Sequence, residues 1–385
     1  MNQKTVRVLQ YVRVLDSGGI EAFIFSYLRK FNLDKVKFDF LLTRNQKEFY
    51  DDQLDKFDSK KFCLDFKKSK IKVVNAFRKY KAFKNFLKIH PEYSVIHFES
   101  IGSDGFLDII AAKKMGVKVR IAHSHIAADY KIGHKKGISK FFKMTMIKIK
   151  QSIIRYFVSK YATDFFACSK EAGEWMYSKK IQDKIIIVPN AIDTKEFHFS
   201  IEKRKQLRHQ LKLENKYVYG HIGRFVYSKN HKFLLDVFAK VLTKKPNSVL
   251  ILVGSGKLFE EIKDYSIKIN IYDRCIFYGQ TNRVNDIINV FDEFVFPSIY
   301  EGLGIVAVEA QTNGLPCLLS STIPSEVKVL PDIKFLKLDQ ELWIKEMLNC
   351  PKRFDPEISY KKVECSDYNI NISSKKLEDF YYSKR

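Results

Sequence analysis

Twice along this chain, a short run rich in Val, Ile, Leu and Phe leads through a turn into a segment of helical spacing, and the pattern then repeats. The first series opens at Thr5–Val12 and the second at Tyr217–Ile222. Strands alternating with helical segments fold into a parallel sheet covered by helices on both faces. At 385 residues the chain is long enough for two such domains. The expected boundaries are a first domain over 1–192, a linker at about 193–200 within a second domain over 193–366, and a terminal segment over 367–385. That last segment carries Leu377, Phe380, Tyr381 and Tyr382, an aromatic face that needs burial. Ligands of parallel sheets bind beyond the carboxyl ends of the strands. In the first series His97, Glu99, His123 and His125 fall at such ends.

The most informative stretch is Ser298-Ile299-Tyr300-Glu301-Gly302-Leu303-Gly304, running on through Glu309. A strand-like run, Phe294–Pro297, enters it and an apolar helical pattern leaves it. Gly302 and Gly304 free the backbone N–H groups around Leu303 to face an anion, and a helix start adds partial positive charge there. Glu309 follows Glu301 by eight residues, about 12 Å along the axis if the whole segment is helical. Two carboxylates flanking a phosphate cradle suit a sugar nucleotide. The alternative is that Glu301 only complements the helix end and Glu309 is solvated.

Other turns sort in the same way. Gly223-Arg224 ends a strand, and Lys229 follows five residues later before a helix near His231. Two fixed cations there would neutralise a diphosphate and the charge that grows on it as a sugar departs. Gly254-Ser255-Gly256 closes a buried strand with room for a ligand, and Gly279 ends the next. Asp16-Ser17-Gly18-Gly19 follows the first strand; it is either a close-approach site for a ligand or a tight turn. It is not G-x-G-x-x-G, which disfavours a dinucleotide oxidoreductase. At Ala122-His123-Ser124-His125, an imidazole can bond a substrate hydroxyl, His123 being the first choice and His125 the second. No third and fourth ligand for a metal are apparent beside them in sequence.

These segments, taken with Val188-Pro189-Asn190-Ala191-Ile192-Asp193 and the E-x7-E spacing of Glu301 and Glu309, resemble the retaining glycosyltransferases of family 4. Within it, the pattern is most similar to the EpsF-like enzymes of exopolysaccharide and capsule synthesis. The family usually has glycine where Ala191 stands. The resemblance implies an α/β, GT-B fold: two Rossmann-like domains facing a central cleft, with a C-terminal helix crossing back to the first. It implies a nucleotide-sugar donor, a UDP-sugar in the first instance, and a lipid-linked or other glycan acceptor. Donor contacts would come from Gly18, Gly19, Gly223, Arg224, Lys229, Gly254, Gly279, Glu301, Gly302, Leu303, Gly304 and Glu309. Glu301, His123, Arg224 and Lys229 would serve the reaction, and His123 and His125 the acceptor. The chain has no Asp-x-Asp triplet, so no metal cofactor is expected. A sugar-nucleotide 2-epimerase would share the fold. A basic membrane-binding protein with a vestigial site is the alternative from another class.

Charge adds a surface. Residues 1–190 hold 38 Lys+Arg against 19 Asp+Glu, whereas 191–385 hold 30 against 25. Between 131 and 160 there are nine basic residues and no acidic one, interleaved with Phe, Met and Ile. A basic amphipathic helix over 135–160 would lie on an anionic membrane. No nucleic-acid motif accompanies the charge. Six scattered cysteines suggest free thiols and a reducing compartment. With no signal-peptide core and no apolar run near 20 residues, the expectation is a cytoplasmic protein held peripherally at the membrane's inner face.

Overall fold

The computed structural model describes residues 5–16, 19–44, 48–99, 101, 105–125 and 138–384, with side chains of the fourth helix described from Thr145. The chain divides into two compact units, Met1–Ala191 with Ile370–Arg385, and Ile192–Asn369.

The first unit runs β1 (Val6–Val12), α1 (Gly19–Leu28), β2 (Val36–Leu42), β3 (Lys61–Cys63), α2 (Lys72–Ile89), β4 (Val95–Phe98), α3 (Gly105–Lys114), β5 (Val119–Ser124), α4 (Ile138–Tyr161), β6 (Asp164–Ala167), α5 (Lys170–Met176) and β7 (Ile185–Ile187). Its seven strands pair in parallel in the order β3-β2-β1-β4-β5-β6-β7. Alternate side chains leave opposite faces of each strand. Val6, Val8, Phe38 and Phe40 therefore meet Phe23, Phe25 and Tyr27 of α1. Leu9, Tyr11, Ile96 and Phe98 meet Phe83 and Leu87 of α2, Ile109 of α3, and Ile154 and Val158 of α4. The C-terminal helix, Ile370–Ser383, joins α1 on the first face and buries Ile370, Leu377 and Tyr381 there. The aromatic face of the terminal segment is thus covered by this unit's own sheet. Ser169 caps α5 by accepting from the Ala172 amide.

The second unit runs α6 (Ile201–Gln210), β8 (Tyr217–Ile222), α7 (His231–Lys244), β9 (Ser248–Val253), α8 (Phe259–Lys268), β10 (Cys275–Gly279), α9 (Val284–Ile287), β11 (Glu293–Phe296), α10 (Val306–Thr312), β12 (Cys317–Ser320), β13 (Lys334–Leu336), α11 (Gln340–Leu348) and α12 (Pro356–Glu364). Its six strands are parallel in the order β10-β9-β8-β11-β12-β13. Leu234, Leu235 and Phe238 of α7 pack with Trp343 of α11 over one face. Ala307, Val308 and Ala310 of α10 pack with Val363 of α12 over the other. The expected linker is a short turn, Thr194–Phe197, and it is built into this unit, with the Phe197 carbonyl accepting from Asn313. In both units the strand order reverses at the first strand of the series, β1 or β8, the arrangement that opens a ligand crevice at the carboxyl edge.

Gly220 lies in the middle of β8 against the buried ring of Phe291, and a Cβ there would stand 2.1 Å from a ring carbon. Neither the central strand nor the ring can retreat without opening the core. Gly220→Ala should cost about 1–3 kcal/mol and lower the melting temperature by several degrees, read by calorimetry. An unchanged melting curve would refute this account of the packing.

Candidate functional site

The second unit gathers its polar groups where β8 and β11 end. Gly223 and Arg224 follow β8, and Lys229 closes a short turn capped by Asn230 at φ 58°. Ser298 to Gly304 follow β11. The Ile299 amide donates to the Ser228 carbonyl at 2.7 Å and ties the two loops. Across that tie, Lys229 Nζ meets Glu301 Oε1 at 2.7 Å, with both side chains largely buried. The ammonium also lies 4.5 Å from the centre of the Phe296 ring, which favours it by cation–π attraction. The expected donor-site carboxylate and cation are therefore one ion pair. Arg224 is exposed, and among the described residues its guanidinium makes no hydrogen bond or ion pair.

The glycines sort into distinct roles. Lys229 is held flat because Gly223 leaves space, since a Cβ there would approach its side chain to 3.1 Å. Gly254, at φ 138°, was expected to leave room for a ligand. Its missing Cβ would instead fall 2.1 Å from the Gly223 carbonyl, so the space belongs to the neighbouring loop. Gly279, at φ 81°, faces open space, and its carbonyl accepts from the Gly254 amide. Gly304, at φ 87°, turns the chain beneath Phe296, while Leu303 is buried in the core. That turn delays α10 until Val306, so Glu301 and Glu309 are not on one helix and the 12 Å helical spacing does not apply. Glu309 sits in the first turn of α10, where desolvation, with Glu196 adding to it, pushes its carboxyl up to about 7.

The first unit carries a second constellation. Register pairs Phe98 of β4 with Ala122 of β5, which brings the residues just beyond, Glu99 and His123, side by side. His97, Glu99 and His123 are all buried. Glu99 Oε2 lies 3.0 Å from His123 Nδ1 and 2.7 Å from His125 Nε2, and Glu99 Oε1 lies 3.4 Å from His97 Nε2. His97 Nδ1 meets the Tyr381 hydroxyl at 2.5 Å. Phe23 of α1 packs against both His123 and His125. Burial opposes ionisation of Glu99, but its imidazole neighbours outweigh it and hold the carboxyl well below the usual range. Desolvation lowers His97 to about 4 and His123 to about 3, so both rings are neutral near pH 7.

Sequence spacing showed no third or fourth ligand beside the histidines, and the sheet supplies candidates. Ligand atoms of His97, Glu99 and His123 lie within 4.8 Å of one another, near enough for a metal ion. Glu99 Oε2 already faces His123 Nδ1 and His125 Nε2, and His97 Nε2 lies 3.2 Å from His123 Nδ1, while Glu99 Oε1 has no hydrogen-bond partner among the described residues. Tyr381 is the partner that strand reasoning missed; the aromatic face of the terminal segment was its only sequence signal. Gly18 lies outside the described residues, and Gly19 opens α1 with nothing within 4 Å of a Cβ placed there.

Three comparisons bear on this arrangement. Residues 202–334 match the family Glycosyl transferases group 1, so the match covers the Lys229–Glu301 pair. EpsF of Bacillus subtilis, named as a glycosyltransferase, is 29% identical over 330 residues, covering 85% of this chain and 82% of that one. An Escherichia coli UDP-Gal:alpha-D-GlcNAc-diphosphoundecaprenol alpha-1,3-galactosyltransferase is 28% identical over 236 residues, 60% of this chain and 58% of its own. Among solved structures, Anabaena HepE in complex with UDP superposes with a TM-score of 0.75 at 15% identity, covering 99% of this chain and 100% of that one. Residues 202–334 thus match a group 1 glycosyltransferase domain, the two parallel-sheet Rossmann-like units have the GT-B fold, and the chain is similar to glycosyltransferases along most of its length.

Proposed function

We propose that this protein moves a sugar from a nucleotide-sugar, a UDP-sugar first, to a lipid-linked oligosaccharide or other glycan acceptor during bacterial exopolysaccharide or capsule synthesis. The observation that carries this reading is the Lys229–Glu301 pair beside the exposed Arg224. The relatives point the same way: one acts with UDP-Gal on a diphosphoundecaprenol-linked sugar, and HepE has been crystallised with UDP and with UDP-glucose. In this reading the diphosphate docks on Arg224, Lys229 and the amides around Gly302–Gly304. No metal is needed, because these groups neutralise the charge that grows on the departing phosphate. Glu301, steered by Lys229, holds hydroxyls of the donor sugar. Glu309 holds the ribose. His123 and His125 of the first unit serve the acceptor. Transfer retains configuration: the acceptor oxygen attacks the anomeric carbon from the face that the phosphate leaves, and the phosphate takes the acceptor proton.

The acceptor's class also gives the first unit's charge a role. Among the described residues no helix is long and apolar enough to cross a membrane. On α4, however, Met146, Ile149, Ile153 and Tyr156 are all 46% exposed or more. At 100° per residue they fall within an arc of about 80°. Exposed Lys148, Lys150 and Lys160 accompany them, with no acidic residue on the helix. Such a stripe lies on an anionic bilayer at its inner, cytoplasmic face. Residues 135–137 of the expected basic helix lie outside the described residues.

Calorimetric titration with UDP in EDTA tests the donor site. Wild type should bind, and Arg224→Ala should weaken binding by about 1.5–3 kcal/mol, roughly ten- to over a hundred-fold. No binding of UDP, GDP or ADP would overturn the reading.

The same titration has a pH signature. Because the Glu309 carboxyl is raised to about 7, it is neutral below that pH and ionises above it. Ribose hydroxyls donate to the ionised form, so UDP should bind about tenfold more weakly at pH 6 than at pH 8. Glu309→Gln should flatten that difference; an unchanged slope in the variant would assign it to another group.

For the surface, sedimentation with phosphatidylglycerol vesicles should carry the wild type down, and phosphatidylcholine vesicles should not. Ile149→Ser with Ile153→Ser should abolish that capture while leaving UDP affinity unchanged. Equal capture by both lipids would remove the electrostatic half of this assignment.

A further inference from the structure

The buried carboxylate of Glu99 has a consequence for the three histidines around it. Its Oε2 carries no hydrogen when ionised, so the His123 and His125 nitrogens that face it must donate, whereas Oε1 has no hydrogen-bond partner among the described residues and His97 Nε2 lies 3.4 Å from it. His123 meets Glu99 through Nδ1 at 3.0 Å, and His125 through Nε2 at 2.7 Å. His97 Nε2 stands 3.2 Å from the same His123 Nδ1. Were that Nδ1 the acceptor, its lone pair would point at a carboxylate oxygen in a site closed to water. The Nδ1 of His123 therefore carries the hydrogen, whichever way the His97 ring is protonated. A neutral imidazole has one N–H, so Nε2 of His123 is left as a lone pair. That atom is buried and, among the described residues, has no hydrogen-bond partner. Phe23 against one side and Phe166 against another keep the ring from turning away. Behind it, Tyr381 fixes His97, and the Gln10 amide reaches Tyr381 in turn at 3.5 Å.

We propose that Glu99 is a positioning residue for sugar transfer: it holds His123 as the Nδ1–H tautomer, so that Nε2 is presented as an acceptor for a substrate hydroxyl. The assignment rests on the transferase reading for its substrate, but not for the tautomer itself. A protonated Nε2 would face that hydroxyl with a second donor, and the hydroxyl would have to turn. Gln is nearly the same shape as Glu but is neutral and presents one oxygen and one NH₂, so it no longer enforces the donor state of both His123 and His125.

The test separates the two questions. Full-length protein labelled with ¹⁵N-histidine is examined by long-range ¹H–¹⁵N correlation, with His123→Asn used to assign the ring. Wild type should show a pyrrole-type Nδ1 and a pyridine-type Nε2 at His123. Glu99→Gln should mix or reverse that pattern and lower kcat at least roughly tenfold, as loss of an imidazole's orienting partner does elsewhere. KM for the nucleotide-sugar should stay within about twofold. Glu99→Asp, which keeps a carboxylate, should recover the wild-type tautomer and part of kcat. A pyridine-type Nδ1 at His123 in wild type overturns the proposal without any activity measurement, as does one equivalent of bound zinc that Glu99→Ala releases. An unchanged kcat in a Glu99→Gln protein with reversed tautomer would also overturn it. If wild type transfers no sugar but shows the expected tautomer, the transferase reading fails and the tautomer assignment stands.

Discussion

Lys229 and Glu301 are 72 positions apart and meet at 2.7 Å, and the candidate donor site depends on that meeting. An ion pair of this kind is favourable only where geometry and supporting contacts offset the loss of water. Here the supports are visible. The Ile299-to-Ser228 bond fixes the loop separation, the Phe296 ring lies against the ammonium, and Gly223 leaves the lysine stem its track. With Glu301 occupying one side of the ammonium, the diphosphate of the proposed donor would find a lysine already aimed, with the exposed Arg224 as a second cation. The free protein thus stores its cation and its carboxylate against each other, and a ligand that binds both must replace that pairing with contacts at least as strong.

The first unit solves a similar problem with different chemistry. Glu99 is a buried carboxylate whose compensation comes from imidazole N–H groups and not, as at Glu301, from a lysine. Neutral donors stabilise a carboxylate without neutralising it. They also transmit its demand for hydrogens outward, which a flexible ammonium with three equivalent donors cannot do. The two carboxylates accordingly suit different tasks: Glu301 is steered in place, whereas Glu99 dictates which edge of its neighbours is open.

Much of this was legible from the chain. The alternation of periods gave strands and helices in order, and His97, Glu99, His123 and His125 could be placed at strand ends from position alone. Their mutual contact could not be read, because it depends on which strands are neighbours. Order β1-β4-β5 puts Glu99 beside His123, and nothing local to Val95–Glu99 or Val119–His125 specifies it. The Lys229–Glu301 pair was hidden for the same reason: both residues were singled out, yet as separate contacts to a ligand. The use of the space beside Gly254 was not legible, because a glycine at a strand end looks the same whether a ligand or a carbonyl fills the gap. Three-residue edge strands such as Lys61–Cys63 and Lys334–Leu336 are too short for any period to register.

The excess charge of the first unit is a separate matter, since packing uses only some of its cations, as where Lys79 of α2 pairs with buried Asp108 at 2.9 Å. The layer formed by α2, α3 and α4 buries Phe83, Leu87, Ile109, Ile154 and Val158 against the sheet, and that burial would be the same beneath a neutral surface. A run of like charges on one layer opposes compactness through self-repulsion. Helix α2 nevertheless carries no acidic residue, and it leaves Val73 and Phe77 more than half exposed beside Lys81, whose ammonium lies 4.7 Å from the Phe77 ring centre. Helix α4 repeats the combination with a different set of residues. Exposed apolar groups and uncompensated lysines each carry a cost in water, and both costs fall against an anionic surface with an apolar interior. That two helices of one layer share this combination supports extending the proposed membrane contact from α4 to α2.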